Sequence, residues 1–413
     1  MKIIVQKFGG TSVATEEARM RIVSRVADAK DRGYSPVVVV SAMGRAGDPY
    51  ATDTLISLAK AASVEPSPRE LDLLMSCGEI ISTVVVTSTL RTAGIDSFAL
   101  TGGQAGIITD DNYNNSQIMK VETRKIVGKL AEGKVVVVAG FQGMTESGDV
   151  TTLGRGGSDT TAAAIGAALD AETVEIYTDV DGVKTADPRL VPEARTIEHL
   201  TYEEICQMAH EGARVIHPRA VEIAMRHNIP IRVRSTFNDL PGTLVAVGQG
   251  MLFWPEARHL HVVTGVTHIA GLCQVALVDG REEPLPYTGT FRRLADSGIS
   301  VDMISVTPKT CSFVVKEDLS ERTLRILDGL GLKPRILHDC AKVSVVGSGM
   351  RGLPGVMANV SEALSGAGVE ILQTSDSHVT ISCLVRRPDL EKAAQALHAR
   401  FALDAPRDRG GIQ

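Results

Sequence analysis

Aromatic residues are scarce in this sequence: they occupy 4% of 413 positions, with a single tryptophan. Valine, alanine, glycine and leucine are plentiful instead. That mix suits buried parallel strands packed under helices better than an all-β sandwich. No block of Lys or Arg stands out and the formal net charge is −6, so a nucleic-acid footprint is not expected. No apolar run approaches the length of a membrane span, and no membrane partner is expected. Met1-Lys2-Ile3-Ile4-Val5 runs straight into a strand, which leaves no room for a signal peptide before the fold. The six cysteines (Cys77, Cys206, Cys273, Cys311, Cys340 and Cys383) lie far apart and form no CxxC pair. A zinc site is not expected, and scattered reduced thiols fit a cytoplasmic protein.

What is present is alternation. Residues 2–7, 37–40, 135–139, 174–178 and 229–233 read as short apolar strands, and 16–32 reads as a helix with Ile22, Val23 and Val26 on one face. Strand, turn and helix in rotation indicate an α/β sandwich with a mostly parallel sheet over 1–240. Ligands of such sheets bind beyond the carboxyl ends of the strands. A shift near Pro241-Gly242, followed by Phe253-Trp254-Pro255, marks a linker over 241–262. Beyond it lies an internal repeat. Gly298-Ile299-Ser300-Val301 through Phe313-Val314-Val315 aligns without gaps on Gly368-Val369-Glu370-Ile371 through Cys383-Leu384-Val385, at a constant offset of 70 positions. Each copy, 263–335 and 341–404, reads as a ferredoxin-like βαββα unit, with first strands at 274–278 and 342–346. Such units have open sheet edges and tend to pair side by side, within a chain or between chains.

Three constellations sit at the expected strand ends. Lys7-Phe8-Gly9-Gly10-Thr11-Ser12 follows a strand and precedes a helix. Its glycines let a phosphate approach the backbone, and Lys7 adds a cation; an ordinary tight turn has the same composition. It is neither GxGxxG nor GxxxxGK[ST], so dinucleotide and P-loop readings fail. Thr151-Thr152-Leu153-Gly154-Arg155-Gly156-Gly157-Ser158-Asp159 opens a small-residue helix. Arg155 offers a planar fork for a carboxylate, while Asp159 alone is explained equally well as a helix cap. Thr178-Asp179-Val180-Asp181-Gly182-Val183-Lys184 through Arg189 is a polar loop after a strand, either a long turn or one wall of a nucleotide pocket. Together they indicate phosphoryl transfer by positioning and positive charge, without a covalent nucleophile. His217, before Pro218, reads as structural.

These motifs, in this order, resemble those of the aspartokinases, and Gly212-Ala213-Arg214-Val215-Ile216-His217-Pro218 extends the match. The repeat resembles paired ACT domains, and the closest resemblance is to the diaminopimelate-pathway type of Gram-positive bacteria. The resemblance implies an amino-acid-kinase fold, ATP and Mg²⁺ as cofactors with no metal ligand from the protein, and 4-phospho-L-aspartate as product. It implies Lys7 and Asp159 as catalytic groups, with Lys7, Gly9, Gly10, Thr178, Asp179, Lys184, Arg189 and Arg214 around ATP. Ser41, Thr52, Glu79, Arg155 and Ser158 would bind L-aspartate: Arg155 its α-carboxylate, Glu79 its α-ammonium, and Ser41 near the acceptor carboxylate. A carboxylate with a pKa near ~4 is already ionised at neutral pH, so no general base is needed.

Three departures stand out. Arg45 through Tyr50 lengthen the loop before Thr52; Arg214 stands where many relatives have Lys; and the first repeat lacks the Pro-Gly loop that the second keeps as Arg351-Gly352-Leu353-Pro354-Gly355. A paired ACT region implies an amino-acid effector, lysine, threonine or diaminopimelate, and a homo-oligomer formed through the repeats. Its candidate contacts are Asp302 and Ser305 in the first copy and Met350, Arg351, Gly355, Ser375 and Asp376 in the second. The competing readings are another kinase of the same fold, acting on glutamate, acetylglutamate or uridylate, and a non-catalytic amino-acid sensor.

Overall fold

The computed structural model describes residues 1–62, 65–213, 215–247, 262–278, 287–307, 309–350 and 352–405. Arg214, Arg351 and residues 248–261 of the linker lie outside them, as do 279–286 of the loop that replaces Pro-Gly in the first repeat. The chain divides into two compact units. The first comprises Met1–Val183, Thr196–Ala209 and Arg214–Met251; the second comprises Lys184–Arg195, His210–Ala213 and Leu252–Gln413.

The first unit is built on an eight-stranded sheet. Its strands are β1 (Ile3–Phe8), β2 (Ser35–Val40), β3 (Ser97–Leu100), β6 (Val135–Ala139), β9 (Thr173–Thr178), β10 (His199–Thr201), β11 (Ile231–Ser235) and β12 (Thr243–Ala246), in the order β10-β12-β11-β9-β1-β2-β6-β3. All pairings except β11 with β12 are parallel. The central strands are valine-rich and buried on both faces, as strands covered by helices on either side require. A smaller sheet joins β4 (Ile107–Thr109), β5 (Ile118–Val121), β7 (Gln142–Met144) and β8 (Val150–Thr152) in the order β5-β4-β7-β8. The helices are α1 (Gly10–Ala14), α2 (Glu16–Asp31), α3 (Thr52–Ala62), α4 (Pro68–Thr92), α5 (Arg124–Ala131), α6 (Gly157–Ala168), α7 (Tyr202–His210, which ends at the boundary of the two units) and α8 (Pro218–Arg226). Ile22 and Val26 of α2 are buried as their spacing predicts, and Thr15 caps the helix by accepting the Ala18 N–H at 3.1 Å.

One expectation is corrected. Helix α4 has 25 residues and is apolar enough, by length and composition, to cross a membrane. Half of its most apolar window is buried inside the unit, and Asp72, Ser76, Glu79, Ser82 and Thr83 lie on its buried side. Such buried polar groups suit a core helix facing a site. The polar residues interrupt the apolar run along the sequence, while the hydropathy averaged over the helix stays high.

In the second unit the repeat is a single six-stranded antiparallel sheet. Its elements are β13 (Gly265–Val278), α9 (Tyr287–Asp296), β14 (Asp302–Val306), β15 (Thr310–Lys316), α10 (Ser320–Asp328), β16 (Arg335–Val346), α11 (Val356–Gly366), β17 (Gln373–Asp376), β18 (Thr380–Arg386) and α12 (Leu390–Arg400). The βαββα order appears twice, and the copies pair edge to edge within the chain. Their first strands are longer than expected. Residues 265–270 of β13 pair with 341–346 of β16, and 274–276 pair with 335–337 across two register shifts. Val266 lies in the core of the second copy, and Ile336 packs against the core of the first. Each copy thus borrows a fourth strand from the extension of its neighbour's first, which removes an open edge from both.

The same unit takes in two stretches from within the first 240 residues, Lys184–Arg195 and His210–Ala213. The Val266 N–H donates to the Thr185 carbonyl at 2.7 Å, Thr185 Oγ1 and His398 Nε2 lie 2.9 Å apart, and Ala186 and Val191 join the core cluster of Val343 and Leu397.

Candidate active site

The carboxyl ends of β1, β2, β6 and β9 bring their loops together. The Ser41 N–H donates to the Phe8 carbonyl at 3.1 Å, Gly44 N–H to Gly10 at 3.0 Å, and Gly9 N–H to Tyr177 at 3.2 Å. A Cβ on Gly10 would stand 2.6 Å from the Gly44 carbonyl oxygen, so only glycine lets the two turns touch there.

Lys7 and Asp159 meet at this junction. Lys7 Nζ lies 2.7 Å from Asp159 Oδ1, and both side chains are nearly buried. Asp159 Oδ2 also accepts the His217 N–H at 3.4 Å. The Asp159 carboxylate is therefore an anchor for Lys7, beyond any helix-start role. His217 itself caps α8 through Nδ1, which accepts the Arg219 N–H, and its ring fills the place a Cβ on Gly156 would need. Gly156 has φ +71°, so close approach and left-handed backbone both require glycine there.

Glu79 projects from α4 into the same junction. Its Oε1 accepts the Ala42 N–H at 3.0 Å, while Oε2 is buried without a hydrogen-bond partner among the described residues. Burial pushes this carboxyl up to about 8, against the opposing pull of the Ala42 N–H. A buried acid with one idle oxygen is a receptor for a cation. Gly78 makes the geometry possible, since a Cβ there would stand 2.8 Å from both Ala42 Cβ and the Tyr50 carbonyl. Ser158, buried in the first turn of α6, lies against Gly140 at the end of β6.

Arg155 is exposed and forms no ion pair among the described residues. Its backbone is held tightly, between Gly154 and Gly156, both with φ +71°. Thr52 starts α3. Thr178 ends β9 and Asp179 follows it, with Thr178 Oγ1 donating to Asp179 Oδ1 at 3.1 Å. Lys184 and Arg189 belong to the second unit, where Arg189 closes on Asp187 at 2.7 Å and holds that carboxyl below its ordinary range. Arg214 is outside the described residues. Among the described residues no group of three or more His, Cys, Asp or Glu is placed to hold a metal ion.

Three further side chains shape the site. Arg45, in the lengthened loop, pairs with Asp179; its loop was visible in the sequence, its partner was not. Asp72 is fully buried on the same face of α4 as Glu79, about two turns before it, and a spacing of seven on an apolar helix was the available signal. Arg219 directly follows His217-Pro218 and reaches the Leu153 carbonyl at 3.0 Å.

The comparisons with known proteins give the family. The amino acid kinase family model matches residues 2–235, and an ACT domain model matches 335–399. The chain is 48% identical to aspartokinase 1 of Bacillus subtilis over 403 residues, covering 98% of this chain and all of that protein. The chain belongs to the aspartokinase family. Membership makes it an enzyme, a phosphotransferase with a carboxyl group as acceptor; the family reaction is ATP-dependent phosphorylation of the side-chain carboxylate of aspartate. Among solved structures, E. coli aspartokinase III in complex with aspartate and ADP (R-state) superposes with a TM-score of 0.78 at 26% identity, covering 97% of this chain and 99% of that one. The same enzyme in complex with lysine and aspartate (T-state) gives 0.76 at 26% identity, covering 97% and 100%.

Proposed function

We propose that this chain transfers the γ-phosphoryl group of ATP to the side-chain carboxylate of L-aspartate, forming 4-phospho-L-aspartate for the diaminopimelate pathway in the cytoplasm, under feedback control by an amino acid. One observation carries the substrate reading: a cation held by a carboxylate, Lys7 on Asp159, stands at the strand ends beside a buried carboxyl group with an idle oxygen, Glu79. Glu79 receives the α-ammonium and Arg155 takes the α-carboxylate in bidentate fashion. Ser41 stands near the acceptor carboxylate, and Thr52 and Ser158 complete the aspartate site. Gly9 and Gly10 admit the phosphates, and Thr178, Asp179, Lys184, Arg189 and Arg214 surround the nucleotide.

The acceptor oxygen attacks the γ-phosphorus, its bond forming as the bridge to ADP breaks, and no proton moves. The chain's task is to bring two anions together and to meet charge on the transferring oxygens. Lys7 supplies that charge, fixed by Asp159 before substrate arrives, so little reorganisation is required. A magnesium ion bound with the nucleotide would supply further positive charge.

For regulation, β14 and β17 meet through a hydrogen bond from Gln373 to the Met303 carbonyl. This brings the strands of Asp302 and Ser305 and of Ser375 and Asp376 to one place. Gly355, with φ +94°, opens α11, and Met350 is buried beneath it. That arrangement supports an effector site for lysine, threonine or diaminopimelate; a homo-oligomer through the repeats is part of the same proposal. Lysine in a related T-state structure favours the first.

The test is trapping of the acyl phosphate with hydroxylamine. L-Aspartate with MgATP should give the hydroxamate. No product from aspartate, alongside product from another amino acid, overturns the assignment.

A further inference from the structure

The loop carrying Arg155 is gripped on every side by groups with no place in the reaction as described. Asp72 is fully buried, yet no cation pairs with it among the described residues. Its oxygens accept the Thr152 N–H at 2.8 Å, the Thr152 hydroxyl at 2.6 Å and the Asn114 N–H at 3.0 Å. From the opposite side the Thr152 carbonyl accepts the Ser116 N–H at 2.9 Å and hydroxyl at 2.8 Å. One residue on, the Leu153 N–H donates to the Phe141 carbonyl at 2.8 Å, and the Leu153 carbonyl accepts Arg219 Nη1 at 3.0 Å. The other Arg219 nitrogen, Nη2, donates to the Ser116 carbonyl at 3.1 Å. Gly154 then packs on Asn114 and Asn115, with room for no Cβ. Residue 155 follows with its side chain exposed.

A buried carboxylate spent on backbone N–H groups is costly where a neutral side chain would fold as well. Here it sets a peptide whose next side chain must meet a small anion at hydrogen-bonding distance, where an error near 1 Å is expensive. We infer that Asp72 and Arg219 are positioning residues for substrate recognition: they clamp residues 152–154 from two helices, so that Arg155 is aimed at the α-carboxylate of aspartate before it binds. The inference rests on the role given to Arg155 above. It makes Asp72 and Arg219 determinants of aspartate affinity although neither touches the substrate.

Steady-state kinetics of the full chain separates the possibilities. Asp72→Asn keeps shape but turns an amide NH₂ toward an N–H donor. It should raise KM for aspartate at least about tenfold, with KM for ATP changed less than about threefold, as expected for loss of one substrate's orientation. Arg219→Gln, on the other helix, should do the same. In an Arg155→Ala background either change should add almost nothing to the loss in kcat/KM for aspartate. Equal rises in both KM values, or a lowered melting temperature with unchanged KM for aspartate, overturn the inference. If Asp72→Asn does not fold, Arg219→Gln decides by the same criteria. A parent protein without aspartate kinase activity would refute the underlying function instead, and is told apart by the hydroxamate assay before any variant is made.

Discussion

Each unit buries a lysine against carboxylates, and the two sites differ in what they leave open. In the first, among the described residues, Lys7 has Asp159 alone, and nearby Glu79 keeps one oxygen without a partner. In the second, Lys342 is held by Glu211 at 2.8 Å and by Asp302 at 2.6 Å. Glu211 also accepts the Ser344 hydroxyl at 2.9 Å. Burial alone would pull the Lys342 ammonium down, but the two acids more than offset it and its pKa is raised. Saturated charges of this kind hold a fold together, whereas charges with spare valence await a ligand. Asp302, a candidate effector contact, is in this structure a partner of Lys342.

Four measurements would break or sharpen that contrast. The largest effect is expected at Lys7. Lys7→Ala should cut kcat by about a thousandfold or more, as removal of a preorganised charge does. Turnover within a few-fold of the parent would remove Lys7 from catalysis. Next is Lys342→Met, which strands Glu211 in the interior and should cost about 3 kcal/mol of unfolding free energy, read by denaturant titration. Unchanged stability with collapsed activity would reverse the contrast.

The third concerns Glu79. With its carboxyl raised to about 8, the empty site is protonated at neutral pH, and the substrate ammonium needs the carboxylate. Binding below pH 8 must therefore expel a proton. Affinity for aspartate should rise about tenfold per pH unit up to that value and level off above it. Glu79→Gln should flatten the slope; a slope that survives assigns the proton elsewhere. The smallest effect is expected at Arg45, whose pair with Asp179 is exposed on both sides. Arg45→Ala should alter KM for ATP by less than about fivefold, because such pairs contribute little. A larger rise would make the lengthened loop part of the nucleotide site.

Much of the first unit was legible because its information is local. A strand such as 135–139 is a run of apolar residues, and Gly9, Gly10, Gly154 and Gly156 mark turns in the chain itself. Strand ends of a parallel sheet converge by topology, so motifs far apart in sequence could be assigned to one place. The pairings inside the site were less visible. Asp159 read equally well as a helix cap, and only the fold joins it to Lys7 and to the His217 backbone. Asp72 shows nothing in sequence beyond an acid on an apolar helix.

The sequence by itself determined the strand–helix alternation, the order of the motifs and the doubled tail, because apolar periodicity, glycine placement and a constant offset are written along the chain. The tertiary structure alone decided which charges are spent and which are spare, since that depends on partners far away in the chain, 152 positions apart for Lys7 and Asp159. It alone decided that the repeats exchange strands through β13 and β16, because edge pairing is a choice among surfaces that only the assembled sheet presents. It also decided that Lys184–Arg195 packs with the second unit, where its apolar residues find a core that no pattern within those twelve positions could announce.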